Sequence, residues 1–184
     1  RGLSAAGLAV GAAKVTGTGA GGDTWFLQDA GAASVLDFVD AGVPSTYRLS
    51  AGEVKEVFTT IVDQLNRPGT DVIVLEVADG LLQGETAALV SSDLFAHLVD
   101  GVLFAGADAL AAVYGLERLW QWGVRVFAVS GLITRSPLAV RELMDQADIP
   151  VLTPDVLERP AAKGFLNEWL GGAGRAARRA GVRA

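Results

Sequence analysis

The chain has 184 residues, of which 51% are hydrophobic and 20% are charged, enough to build one sizeable core. Its formal net charge of −6 argues against a general nucleic-acid binder, because an acidic surface repels the phosphate backbone. The lack of cysteine and the single histidine, His97, exclude disulfides, thiol catalysis and metal centres rich in cysteine or histidine. No apolar run reaches the roughly 18 residues that a membrane-spanning helix needs, so no membrane partner is expected.

Residues 1–7 have the pattern of the last turn of a helix that ends at Gly7. They carry neither an initiator methionine nor the order of charged, apolar and small residues that marks a signal peptide. We therefore expect the chain to begin inside a fold.

Five short apolar runs, most of them rich in β-branched residues, predict the strands. Their lack of alternation indicates burial on both faces, as in a parallel sheet, and the proline in the last run places that strand at an edge. The runs cover residues 8–15, 71–77, 101–106, 124–130 and 149–152.

Between these runs the apolar residues recur at helical spacing. One predicted helix begins with the capping box of Ser50 and Glu53, and another begins with Ser136 as N-cap. The predicted helices cover residues 24–39, 50–68, 107–122 and a stretch that begins at 136. The alternation of strands and helices predicts an α/β fold with a doubly wound, mostly parallel sheet. We expect one domain over residues 1–170 and a flexible basic tail over residues 171–184.

The first strand leads into a glycine-rich loop at the end of the sheet where open parallel sheets bind ligands. Lys14 offers a positive charge there, and Gly17 and Gly19 let an anionic cofactor approach the backbone amides. Asp23 is a candidate ligand for Mg²⁺. The alternative is that the loop is a simple turn and that Asp23 is the N-cap of the next helix.

An acidic residue, Glu76, lies within the second apolar run. A carboxylate in an otherwise buried strand is costly unless it is paired or holds a cation, so Glu76 is a candidate metal ligand. The alternative is a structural glutamate that forms a salt bridge with Lys14 on the neighbouring strand, and the two roles are compatible.

The fourth run ends at Ser130 and Gly131 and continues into a loop that carries Arg135. This loop either contacts the base or a phosphate of a nucleotide or simply connects two elements.

Taken in order, these segments resemble the dethiobiotin-synthetase-like branch of the P-loop NTPases, over nearly the whole chain to about residue 170. The family has a lysine, a loop of glycine and hydroxyl residues and then an aspartate, an order that residues 14–23 share. Its strand ending in E-G-A-G-G-L-L is similar to residues 76–82, although Val77 and Asp79 depart from it. Its later strand-helix-strand unit and final strand are similar to residues 101–130 and 149–153.

The resemblance implies a P-loop NTPase-like domain, a Rossmann-like three-layer α/β fold whose phosphate loop would precede Arg1. It assigns Asp23 and Glu76 to Mg²⁺ and Lys14 to the substrate carboxylate or the transferred phosphoryl group. Catalysis of this kind depends mainly on positioning and charge neutralisation.

In the same resemblance, Thr16 and Thr18 contact oxygens near the transferred group. The implied function is that of an ATP-dependent ligase or phosphoryl-transfer enzyme that binds ATP or GTP with Mg²⁺ and acts on a small carboxylate. A non-catalytic α/β nucleotide-binding or regulatory module stays open, as does an N-acyltransferase on the same skeleton. We expect a cytoplasmic protein, and a homodimer stays open.

Overall fold

The structure is a computed structural model that describes residues 1–19 and 21–171. Its contacts divide the chain into two compact units, the first formed by Arg1 and Leu3–Val90 and the second by Gly2 and the described residues from Ser91 onward. Both units combine helices with parallel strand pairs. The predicted mixed α/β fold with mostly parallel strands is therefore confirmed.

The first unit contains a three-stranded parallel sheet in the order β2-β1-β3. Its elements are α1 (Gly2–Ala5), β1 (Val10–Thr16), α2 (Gly22–Asp29), β2 (Ser34–Asp37), α3 (Ala51–Leu65), β3 (Val72–Val77) and α4 (Gly84–Val90).

The central strand β1 is buried almost throughout, as its continuous apolar sequence predicts. The edge strand β3 differs, because its residues alternate between half-buried and exposed, and Val74 is 40% exposed. The prediction that this second run is buried on both faces is wrong. Among the described residues, β3 pairs with β1 alone, so one of its edges has no strand beside it.

The helix α3 packs on this sheet with an apolar face of five buried residues: Val54, Val57, Phe58, Ile61 and Leu65. Its predicted capping box is confirmed, since the Ser50 hydroxyl accepts from the Glu53 amide and the Glu53 carboxylate accepts from the Ser50 amide.

The single helix predicted over residues 24–39 is wrong. The helix α2 ends at Asp29, and Gly31 follows it with a φ of 95°, a left-handed conformation that reverses the chain direction. The Ala33 amide then donates to the Val10 carbonyl, which brings the next residues into the sheet as β2. The apolar residues of this short stretch fit both the helical period and the strand period. The glycine ends the helix before the strand begins.

The second unit contains the parallel pair of β4 and β5. Its elements are α5 (Asp93–Leu98), β4 (Val102–Ala105), α6 (Ala109–Gln121), β5 (Val126–Ser130), a 3₁₀ turn (Leu132–Arg135), α7 (Pro137–Gln146), α8 (Pro154–Leu157) and α9 (Ala161–Gly171). The fifth predicted strand is reduced to a single parallel bridge between Val151 and Val129.

The core of this unit lies between β5, α6 and α7. It is built from Ala112, Leu116, Val129, Ile133, Leu143 and Ile149. The predicted start of α7 is confirmed, because the Ser136 hydroxyl accepts from the Ala139 amide and Pro137 occupies the first turn.

The doubly wound three-layer sheet and the single domain stay predictions. The predicted basic tail lies, from residue 172 onward, outside the described residues. In the part of the chain that the structure describes, no helix is both long and apolar enough to cross a membrane.

Candidate functional site

The candidate site lies at the carboxyl ends of β1 and β3 in the first unit. In the parallel register, Lys14 of β1 stands directly beside Glu76 of β3. Two residues separated by 62 positions in sequence thus meet at one edge of the sheet, because parallel strands bring their carboxyl ends together. The predicted convergence of these two residues is confirmed.

Asp23 joins them from the first turn of α2, where its carboxylate forms an ion pair and a hydrogen bond with the Lys14 ammonium. The N-cap position of α2 is taken by Gly21, and no side chain caps this helix end. The alternative in which Asp23 is the N-cap is therefore wrong. Asp23 faces the lysine across the glycine-rich loop.

Glu76 occupies an exposed position on β3, which corrects the expectation of a buried carboxylate. The alternative of a salt bridge between Glu76 and Lys14 is also wrong, since the ion pair of Lys14 is formed with Asp23. Glu76 is therefore an exposed carboxylate beside a lysine whose ion pair is formed with another residue.

The electrostatics of the cluster follow from this pairing. The hydrogen bond to Asp23 raises the pKa of Lys14 above its ordinary value, and the nearby charges of Glu76 and Asp79 act in the same direction. Although Glu76 is exposed, protein atoms displace part of the water around its carboxyl, and this desolvation raises the pKa of Glu76. Asp23 and Asp79 raise it further, while Lys14 opposes them.

Thr16 lies at the end of β1 and is fully buried. Its hydroxyl oxygen accepts from the Ala78 amide at 2.8 Å and donates to the Ala78 carbonyl at 3.2 Å. The Thr86 hydroxyl donates to the same carbonyl at 3.2 Å. Thr16 thus links the ends of β1 and β3 by hydrogen bonds. These bonds fix the distance between Lys14 and Glu76.

Gly17 is the point where the loop passes closest to Lys14. Its φ of 133° suits glycine, and a Cβ built on it would lie 2.8 Å from Cε and 3.3 Å from Nζ of Lys14. Its amide donates to the Thr46 hydroxyl at 2.8 Å, so it is engaged within the protein. Gly17 makes room for the lysine side chain in this structure.

Thr18 and Gly19 lie further along the loop and are exposed. Thr18 forms an antiparallel bridge with Ser45, and a Cβ on Gly19 would lie 3.3 Å from the Pro44 carbonyl oxygen. Both residues therefore run beside the segment after β2. Their proposed contacts with substrate and cofactor stay predictions.

Asp79 is a member of the cluster that sequence reasoning did not assign. It has a φ of 72°, a left-handed conformation that aspartate adopts more readily than most residues with a side chain. One of its carboxylate oxygens lies 3.5 Å from the position of a Cβ on Gly17. The Asp79-Gly80 pair directly after a strand was the available signal, since this dipeptide marks tight turns with positive φ.

Ser130 and Gly131 belong to the second unit, at the carboxyl end of β5. Gly131 has a φ of 93°, and a Cβ on it would lie 2.8 Å from the Gly106 carbonyl oxygen. The Ser130 carbonyl accepts from the Gly106 amide at 2.9 Å. These contacts hold the ends of β4 and β5 together, and the proposed nucleotide contacts of Ser130 and Gly131 stay predictions.

A metal at the first site would have carboxylates as its ligands. Within the described residues, no group of three or more histidine, aspartate or glutamate side chains is arranged to hold a metal ion. The paired Asp23 and the free Glu76 are the two predicted ligands that the fold brings to one edge. Mg²⁺ commonly takes only one or two protein carboxylates, together with waters and phosphate oxygens, so this donor set fits it.

Comparisons with protein-family models, with curated proteins and with solved structures found no significant match to this chain. The functional assignment accordingly depends on the geometry of the site and on the chemistry of its side chains.

Proposed function

We propose that this protein is a Mg²⁺-dependent, nucleotide-binding enzyme of the ligase or phosphoryl-transfer type that acts on a small carboxylate. The proposal includes a P-loop NTPase-like, doubly wound α/β fold. The observation that carries it is the meeting of Lys14, Asp23 and Glu76 at the carboxyl ends of two adjacent parallel strands. Enzymes that transfer phosphoryl groups commonly combine a cationic side chain with carboxylates that hold Mg²⁺.

Lys14 is the group that would hold the anionic substrate. Its side chain is only 11% exposed, so its charge is poorly screened by water and acts strongly on a nearby anion. Asp23 neutralises this charge in the structure. A substrate carboxylate or a transferred phosphoryl group would therefore compete with Asp23 for the ammonium, and a released Asp23 carboxylate would become available as a metal ligand.

Asp23 and Glu76 would together hold Mg²⁺, which supplies neutralisation of the phosphate charge when bound. The three carboxylates around Lys14 give the site an excess of negative charge. A nucleotide without a divalent cation would be repelled by Glu76 and Asp79, so nucleotide binding should depend strongly on Mg²⁺.

Calorimetry of the full-length protein with ATP and with GTP, each with and without Mg²⁺, tests the proposal. Lys14→Gln should weaken binding of the Mg²⁺-nucleotide by about tenfold or more, since it removes a poorly screened cation. Lys55→Gln, on α3, is the matched control for the loss of one lysine and should bind as the parent does. The proposal is wrong if neither nucleotide binds in the presence of Mg²⁺.

A non-catalytic nucleotide-binding or regulatory module is the second candidate. The Lys14–Asp23 ion pair favours it, because a lysine already neutralised by the protein is a common structural arrangement. The enzyme and the non-catalytic module differ in whether they release phosphate from a bound nucleotide. Steady release of phosphate from a bound nucleotide in the presence of a carboxylate substrate supports the enzyme, whereas Mg²⁺-dependent binding without phosphate release supports the module.

A further inference from the structure

Two segments that are distant in sequence are joined by hydrogen bonds beside the candidate site. The Gly17 amide donates to the Thr46 hydroxyl at 2.8 Å, and the Thr46 amide donates to the Gly17 carbonyl at 3.1 Å. The Ser45 hydroxyl donates to the same carbonyl at 3.2 Å. We call the contacts of Ser45 and Thr46 with Gly17 the threonine clamp.

The threonine clamp lies in the interior of the protein. Thr46 is only 1% exposed, although it lies in the loop between β2 and α3. A buried hydroxyl is costly unless it is hydrogen-bonded, and the hydroxyl of Thr46 meets both polar groups of the Gly17 peptide. The bridge between Thr18 and Ser45 continues the same contact by one residue on each side. The clamp therefore fixes the loop backbone directly after β1.

Gly17 needs such a support, because glycine by itself allows the widest range of backbone conformations. At its φ of 133°, a Cβ on Gly17 would lie 2.8 Å from Cε of Lys14, so the lysine has room there because glycine carries no side chain. A different conformation of Gly17 would move its backbone atoms relative to the lysine. The space that Lys14 occupies opposite Asp23 is thus bounded by the Gly17 backbone, to which Thr46 is hydrogen-bonded.

We propose that Thr46, assisted by Ser45, is a positioning residue that sets the Lys14 side chain in the candidate site by holding Gly17 in its left-handed conformation. Thr46 acts through Gly17 and does not itself touch the ligand. This proposal rests on the proposed function in one respect, because both place Lys14 in the site. It adds an explanation of how the Lys14 side chain is positioned. The charged groups that face Lys14 are Asp23, Glu76 and Asp79.

The variants Thr46→Val and Thr46→Ser test this proposal. The first keeps the shape of the side chain without the hydroxyl, and the second keeps the hydroxyl. Hydrogen exchange of the Gly17 amide, followed by NMR, measures the clamp directly. Thr46→Val should speed this exchange by about tenfold or more, because the amide loses its acceptor, whereas Thr46→Ser should remain close to the parent protein.

The reaction of Lys14 with acetic anhydride at one fixed pH, followed by mass spectrometry, measures the position of the lysine. The chain has three lysines, so Lys55 and Lys163 are internal references in each sample. In Thr46→Val, acetylation of Lys14 relative to these two should rise by about threefold or more, since a loosened Gly17 lets the ammonium leave Asp23. Thr46→Ser should restore the slow reaction.

Thr70→Val is the matched control, because the Thr70 hydroxyl donates to the Leu65 carbonyl at the end of α3. It removes one hydroxyl hydrogen bond and should change neither measurement. Faster exchange at Gly17 with an unchanged relative acetylation of Lys14 would overturn the proposal. If Thr46→Val does not fold, Ser45→Ala replaces it, with a smaller acceleration of both reactions expected and no acceleration counting against the proposal.

Neither measurement requires a nucleotide, so the two proposals fail separately. If the parent protein does not bind the Mg²⁺-nucleotide, the proposed function is wrong, and the proposed role of the threonine clamp is unaffected. An unchanged Lys14 in Thr46→Val would end the clamp proposal and leave the proposed function intact.

Discussion

The carboxyl ends of the two sheets differ in what they present. At the ends of β1 and β3 the chain places a lysine and three carboxylates: Lys14, Asp23, Glu76 and Asp79. At the ends of β4 and β5 it places Gly106, Ser130 and Gly131, whose backbones touch each other. Both ends occupy the position where parallel sheets bind ligands, and the cluster of one lysine with three carboxylates lies at the first.

The comparison shows that a glycine at a strand end has two uses. Gly131 allows one backbone to approach another, which serves the fold. Gly17 allows the charged side chain of Lys14 to pass close to the backbone, which gives the lysine its place beside Asp23. Substitutions at these two positions should therefore have different consequences.

The largest effect on stability is expected for Gly131→Ala. The new Cβ would lie 2.8 Å from the Gly106 carbonyl oxygen and 3.1 Å from its nitrogen, and backbone atoms cannot move aside cheaply. The positive φ adds strain, so the free energy of unfolding should fall by about 3 kcal/mol. Gly123→Ala is the control, since Gly123 has a φ of 72° with nothing within 4 Å. It should cost about 1 kcal/mol in urea denaturation. Equal losses in the two variants would refute the role of close backbone approach.

Gly17→Ala should have the next largest effect, about 2 kcal/mol, because the clashing atom belongs to a flexible side chain that can move. Lys14 should be pushed from Asp23, and its reaction with acetic anhydride should become faster. Gly69→Ala, at a φ of 96° with open space around it, reproduces the strain alone. If Gly69→Ala accelerates the acetylation of Lys14 equally, the reaction reports general loosening and not the contact at Gly17.

Asp23→Asn should cost about 1 kcal/mol or less, because the Asp23 side chain is 40% exposed and water screens the ion pair. The cost should depend on pH. The folded-state pKa of Lys14 is raised, so its contribution is fully present below the pKa of the unfolded chain and is lost as pH rises through the raised value. Urea denaturation of both proteins at rising alkaline pH should show the difference shrinking. A difference that stays constant would mean that Asp23 acts through packing and not through charge.

The sequence allowed four of the five described strands, the capping box and the meeting of Lys14 with Glu76 to be predicted, because periodicity and the rules of parallel sheets govern them. The division of residues 24–39 into a helix and a strand was missed, although Gly31 marked it. The exposure of Glu76 could not be predicted, since it depends on what packs over that face of β3. The threonine clamp could not be predicted either, because it joins residues 29 positions apart through loop geometry.

The smallest effect on stability is expected for Glu76→Gln. Desolvation and the neighbouring carboxylates raise the folded-state pKa of Glu76, so the folded protein favours the protonated carboxyl. The contribution of Glu76 is then fully present below its pKa in the unfolded chain and is lost as pH rises through the raised folded value. Gln resembles the protonated form at every pH. The variant should therefore match the parent in acid and become slightly more stable towards neutral pH.

The gain should stay below about 1 kcal/mol, because Glu76 is exposed and its charge is screened. Melting temperatures of both proteins from about pH 3 to about pH 8 would measure it. Glu56→Gln, which removes an exposed carboxylate on α3, is the control for the change in net charge. The same Glu76→Gln protein should lose Mg²⁺-dependent nucleotide binding under the proposed function. A clear loss of stability near neutral pH with nucleotide binding retained would instead mean that the charge of Glu76 stabilises the fold, and the charged cluster at the ends of β1 and β3 would then serve the fold just as the glycine contacts at the ends of β4 and β5 do.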